Sequence, residues 1–169
     1  MNTSTSINTK EELVSFINRV GECTVYPLPG YPDIFSQLSG DNEEERKKRA
    51  WAWSDQLHLE KRFFVSLAIA RKLTVTSWYR FLKVYPARVQ STINVDEDGL
   101  LEVIRKMGGG STRKILQMCG MPAPRFESAL VGLRSKMMIA CCGIEKTEDN
   151  RFVYCYDLTD RWVPEEFGV

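Results

Sequence analysis

Apolar positions along this chain recur with changing periods, and the breaks between those patterns set out its elements. From Lys10, the residues Leu13, Phe16, Ile17 and Val20 repeat at helical spacing, with Thr9 placed to cap and Gly21 to end a helix over 10–20. Tyr26-Pro27-Leu28-Pro29-Gly30-Tyr31-Pro32 predicts a rigid loop, because each proline holds its predecessor extended, and a turn of helix follows at 33–38. Asp41-Asn42 opens a charged helix in which Glu43–Lys47, Glu44–Lys48 and Glu45–Arg49 are i,i+4 pairs with the acid N-terminal. Each such pair contributes about 0.3 kcal/mol. These acids neutralise the basic run Arg46-Lys47-Lys48-Arg49, so it reads as a solvated helix face. After His58, the residues Leu59, Phe63, Leu67 and Ala70, widened by Phe64 and Ile69, predict a further helix. Thr76 or Ser77 caps another, carrying Trp78, Phe81, Leu82 and Tyr85 and stopped by Pro86. The first ninety residues are expected to be mostly helical.

From residue 96 the pattern becomes helix, helix, helix and then a two-stranded ribbon, the order of a winged helix. Leu100, Leu101, Ile104 and Met107 line the first helix, with Asp96-Glu97-Asp98 and Arg105-Lys106 at the ends the helix dipole favours. Gly108-Gly109-Gly110 makes a flexible turn, Ser111 caps a short second helix, and Gly120 ends it. Pro124 suits a first helical position, and Phe126, Ala129, Leu130, Leu133 and Met137 form the buried stripe of the third helix. Opposite that stripe lie Ser128, Val131, Gly132 and Ser135, a small-residue face. Gly132 costs a helix about 1 kcal/mol relative to alanine. Close approach of a backbone, from DNA or from another helix, is one reason to keep it. Met138–Ile144 and Arg151–Leu158 make the ribbon, with Phe152, Tyr154, Tyr156 and Leu158 on one side. The polar stretch at 88–95 is the candidate join. The expected organisation is a tail at 1–9, a helical part at 10–94 and a winged helix at 95–169. The fold class is mainly α, of the α+β kind.

Charge sharpens this picture. The chain carries 23 basic and 22 acidic residues, yet Arg105, Lys106, Arg113, Lys114, Arg125, Arg134 and Lys136 face only Glu127 between Val103 and Cys141, a local net of +6. Such a field inside a near-neutral protein is the usual electrostatic mark of a nucleic-acid contact. Arg113, Lys114, Arg125 and Lys136 are expected on duplex phosphates, with Ser128 and Ser135 able to hydrogen-bond at the groove. Two features pull the other way. The third helix shows few Arg, Asn or Gln side chains for base edges, and the ribbon tip with Arg151 holds two basic against three acidic residues.

Other chemistry finds little footing. No phosphate-binding glycine loop occurs, and His58 is the only histidine, with no nucleophile motif beside it. Asp33, Asp55 and Glu60 are the carboxylates that could do acid–base work if buried together. The five cysteines are odd in number, without CxxC spacing, and sit mostly in apolar segments, so reduced thiols are expected and neither a metal nor a cofactor is. The longest apolar run, Phe63–Ala70, is too short to cross a membrane and the first nine residues lack a signal-peptide pattern, so the protein is expected to stay in the cytoplasm.

Trp51-Ala52-Trp53-Ser54-Asp55-Gln56-Leu57, the basic-aromatic Lys61-Arg62-Phe63-Phe64 and the closing Tyr154-Cys155-Tyr156-Asp157-Leu158-Thr159-Asp160-Arg161-Trp162-Val163-Pro164 resemble small relatives of the AlkZ-like winged-helix DNA glycosylases. That resemblance implies a scaffold associated with nucleic acid. It also implies a Gln-x-Gln or Gln-x-Asp motif that positions the attacking water. Here Gln37, Gln56, Gln90 and Gln117 precede Ser39, His58, Thr92 and Cys119 at that spacing, so no catalytic residue carries over. The expected function is a DNA-binding winged helix of regulatory or repair-associated type, with double-stranded DNA as partner. The alternatives are a protein-interaction module or homodimer that uses the small-residue face, and a glycosylase that uses other residues.

Overall fold

Thr9 and Glu12 cap the first helix reciprocally, each side chain accepting from the other residue's backbone N–H, and this sets the start of α1 (Lys10–Val20). Gly21 ends it at φ 76°. A computed structural model describes residues 6–69 and 72–167. After β1 (Glu22–Thr24), Asp33 caps α2 (Ile34–Gln37) by accepting from the Ser36 N–H at 2.6 Å. Asn42 caps α3 (Glu43–Leu59), where Lys47–Glu43 and Lys48–Glu44 pair at 2.6 and 3.0 Å. The expected Glu45–Arg49 pair is not made. Arg49 instead donates to the Ser39 carbonyl at 3.3 Å and lies 5.6 Å over the Trp53 ring.

The helix expected over 59–70 is a strand. Lys61 takes φ 54° just past the end of α3, and the chain continues as β2 (Phe63–Ile69) and β3 (Lys72–Ser77). Strand order β1-β3-β2 gives an antiparallel sheet in which Val65 faces Val75 across the ladder. Phe63, Phe64 and Val65 are all buried, so apolar side chains fill both faces of the strand. A short run of that kind has no period that separates strand from helix, and its aromatic and β-branched residues favour the strand. Ala70, the last residue of that expectation, lies outside the described residues. Leu13, Ile17, Val25, Ile34, Leu57 and Val75 form the surrounding core.

Phe64 stacks on Phe81 at 4.2 Å, and Trp78 meets both rings edge-on. Trp78 opens α4 (Trp78–Val89), where the Ser77 hydroxyl accepts from the Arg80 N–H. This helix runs through Pro86 rather than stopping there. Proline removes one backbone donor, and this close to a helix end the lost bond does not break the last turn. The chain divides into two compact units after Lys83, within α4.

In the second unit, Asn94 and Glu97 form a capping box for α5 (Val95–Met107), which left-handed Gly108 terminates. There follow β4 (Gly110–Ser111), α6 (Thr112–Cys119), α7 (Ala123–Ser135), β5 (Ile139–Lys146) and β6 (Phe152–Leu158). The expected ribbon has a third strand, because Gly110 and Ser111 pair with Tyr156 and Cys155 to give the order β4-β6-β5. Nor is the glycine run a loose turn. Gly109 holds φ 88°, and a Cβ there would stand 2.9 Å from Asp157 Cβ. Met137, at φ 58°, falls beyond α7 and off its stripe. Leu100, Leu101, Ile104, Ile115, Phe126, Leu133, Ile139 and Tyr156 make the core. With a small antiparallel sheet beside the helices of each unit, the fold is mixed α+β.

All five cysteines are free thiols, and burial pushes Cys23 and Cys142 up to about 12, which suppresses the reactive thiolate.

Candidate nucleic-acid interface

Arg113 and Lys114 stand exposed on the first turn of α6. Lys114 Nζ pairs with Glu145 Oε2 on β5 at 3.1 Å, and this hydrogen bond holds the Glu145 carboxyl below its usual range. Arg113 makes no ion pair among the described residues. Both side chains line a polar cleft of about 280 Å³ with Lys146, Glu145 and Glu148 of the ribbon.

Arg125 and Lys136, from the start of α7 and just past its end, turn instead to the first turn of α5. Arg125 grips Asp96 with both arms of its fork, Nε reaching Oδ2 at 2.9 Å and Nη2 reaching Oδ1. That hydrogen bond keeps the partly exposed Asp96 carboxyl below the ordinary carboxylate range. Lys136 Nζ lies 2.5 Å from Glu97 Oε2, and the Glu97 side chain is only 5% exposed. The same Glu97 oxygen accepts from the Asn94 N–H at 2.8 Å, so one carboxylate caps α5 and anchors the end of α7. Ser128 is exposed on α7, whereas the Ser135 hydroxyl donates to the Gly132 carbonyl at 2.8 Å.

The small-residue face is therefore divided. Ser128 and Val131 are exposed, but Gly132 faces Glu97, whose Cδ would sit 2.9 Å from a Cβ at that position. The close approach that this glycine permits is made by a carboxylate of the same unit.

Four of the seven basic residues between Val103 and Cys141 pair with acids: Arg105 with Glu102, Lys114 with Glu145, Arg125 with Asp96, and Lys136 with Glu97. Those four acids lie just outside that window, and counting them lowers its net from +6 to +2. One signal for this was readable in advance. Asn94 followed three residues later by Glu97 is a capping-box spacing that directs a carboxylate to the start of α5. Arg134 is buried, donating to the Tyr156 hydroxyl at 3.1 Å, and Lys106 is exposed.

The carboxylates and histidine of the first unit serve separate purposes. Asp33 caps α2, Glu60 pairs with Lys10 and Arg62, and burial raises Asp55. His58 is 2% exposed, and burial pushes it down to about 4 despite a backbone hydrogen bond at Phe63. It is neutral at pH 7 and sits inside the core. Among the described residues no group of His, Cys, Asp and Glu could hold a metal ion, and no helix is long and apolar enough to cross a membrane.

No curated protein matches the chain. The family model described as AlkZ related matches residues 7–168, nearly the whole sequence, and the chain belongs to that AlkZ-related family.

Proposed function

We propose that the second unit is a winged helix that binds duplex DNA in a regulatory or repair-associated role. The strand ladder β4-β6-β5, with α6 and α7 between its first and second strands in sequence, carries the reading. It supports α7 as the groove-facing helix and the β5–β6 ribbon as the wing. Membership of the AlkZ-related family supports the link to DNA repair.

In this reading Arg113 contacts a phosphate directly. Lys114 and Arg125 exchange a partly exposed carboxylate partner for a phosphate, and Ser128 hydrogen-bonds beside them. Lys136 and Ser135, both engaged with neighbouring groups of the unit, hold α7 in position. The exposed residues of α7 include Glu127, Ser128 and Val131, and Arg125 is their only bidentate donor. Contacts of this kind fix position on the duplex without reading its sequence.

Titration of a short duplex over a salt series tests the reading. Arg113→Gln and Arg125→Gln should each flatten the slope of log affinity against log salt by about one, as loss of one phosphate contact does. A double variant with an unchanged slope removes Arg113 and Arg125 from the contact, and no binding by the parent protein at low salt removes DNA as the partner.

A further inference from the structure

Along the inner side of α7, Phe126, Leu130 and Arg134 follow one another at i, i+4 and i+8. A leucine in the third place would continue the apolar stripe against β6. Arginine there brings a guanidinium into the interior, and beside it a cavity of about 420 Å³ opens among α6, α7 and β6. Leu116, Phe126, Leu130, Tyr154 and Tyr156 form its apolar and aromatic walls. It opens outward along β6, from Tyr156 at 1% exposure to Tyr154 at 37%.

Its polar groups are unevenly placed. Arg134, 8% exposed, is fixed at the inner end, with Nη1 donating to the Tyr156 hydroxyl and its guanidinium 5.5 Å from the Tyr156 ring. Arg113, exposed, stands at the rim with Thr112 and the carboxylate of Glu127. Two cations against one anion leave the lining at +1. An apolar groove of this size with a few convergent polar groups falls in the range of small-molecule sites, about 300–1,000 Å³.

We propose that this cavity binds a small hydrophobic carboxylate, its aromatic or branched body between Phe126, Leu130 and Tyr154 and its carboxylate on Arg134, with Arg113 closing the mouth. Charge separates this ligand from a strand of nucleic acid. A polyanion leaving the cavity along β6 would meet Glu145, Glu148 and Asp149 at the ribbon tip, against Lys146 and Arg151. A single carboxylate meets a lining whose two guanidinium groups outweigh the one carboxylate of Glu127. The inference does not depend on DNA binding.

Calorimetric titration of the full chain with phenylbutyrate, phenylbutanol and thymidine monophosphate tests it. A guanidinium–carboxylate bond in a partly enclosed site should favour the acid over the alcohol by about ten-fold or more. Arg113→Gln should weaken phenylbutyrate several-fold and leave phenylbutanol unchanged. Ala123→Leu, which fills the cavity edge without touching a charge, should weaken both. Arg134→Lys keeps the charge and loses the fork, and should reduce the preference for the acid. Where that variant fails to fold, Arg113→Gln and Ala123→Leu still decide the matter. Equal affinity for acid and alcohol, binding of neither, or tighter binding of thymidine monophosphate overturns the proposal.

Discussion

The Glu97 carboxylate fills the space that a side chain at Gly132 would need. From there it completes the cap of α5 and pairs with Lys136 just beyond α7, so a single buried oxygen joins two helix ends. A helix-interior glycine that looks unfavourable on propensity alone is thus required by packing.

Gly132→Ala sets two effects against each other. Helix propensity alone would stabilise by about 1 kcal/mol. The new methyl group, however, would stand 2.9 Å from Glu97 Cδ, and the displaced carboxylate would strain both the cap and the ion pair. Overpacking wins, with an expected net loss of about 2 kcal/mol. Urea unfolding followed by circular dichroism measures it, and a rise in the midpoint would refute the assignment.

Lys136→Ala should act on stability before it acts on any ligand. Its side chain is 20% exposed and its partner Glu97 only 5%, so removal of the ammonium leaves a buried carboxylate without its cation. The expected loss is about 2 kcal/mol, below the range for fully buried pairs because Lys136 keeps some contact with water. Arg113→Gln, at an exposed site, should leave the urea midpoint where it was. Similar midpoints for the two variants would mean that Lys136 is not structural.

Local signals carried much of the fold, and long-range pairing carried the rest. Thr9 and Gly21 bound α1, and Gly120 ends α6, because caps and left-handed terminators act over a few residues. The Phe63–Leu67 run misled because strand pairing with Lys72–Ser77 decides its conformation, and its side chains are buried on both faces. Gly110 and Ser111 are too short a segment to read as a strand until Tyr156 and Cys155 lie beside them. The basic residues of the candidate interface were legible one by one. Their partners were not, since Asp96 is 29 residues from Arg125 and Glu145 is 31 from Lys114. A charge window along the sequence counts such acids as absent when the fold makes them nearest neighbours.

His58 gives the first unit a dependence on pH. Burial lowers it from its ordinary 6.5 to about 4, so between those values the unfolded chain binds a proton that the folded chain does not. Stability is therefore complete above pH 6.5 and falls as pH drops toward 4, by on the order of 3 kcal/mol. Burial raises Asp55, which acts in the opposite sense, and Lys10 lowers Glu60, which acts in the same sense. The difference between parent and His58→Gln isolates the histidine. Urea midpoints should decline less steeply for the variant between pH 6.5 and 4.5, and parallel declines would place the dependence elsewhere.

If the second unit binds duplex DNA as proposed, Asp96→Asn should strengthen that binding. The Arg125 hydrogen bond keeps Asp96 ionised well into acid, so at neutral pH the carboxylate offsets the guanidinium and occupies both arms of its fork. A phosphate must displace that carboxylate before it can bind. Asparagine removes the competing charge and leaves a weaker, neutral acceptor, so the contact forms more completely. Anisotropy of a labelled duplex over a salt series should then show several-fold tighter binding at low salt. Any steepening of the slope should stay well below one counterion, since it reports only fuller formation of a single contact, and the gain should shrink as salt rises. Any lost negative charge attracts DNA slightly, so the double variant Asp96→Asn with Arg125→Gln is the control. If Arg125 touches phosphate, the double variant loses the gain. If the gain survives without Arg125, the guanidinium is no part of the interface and the pair with Asp96 serves only the fold.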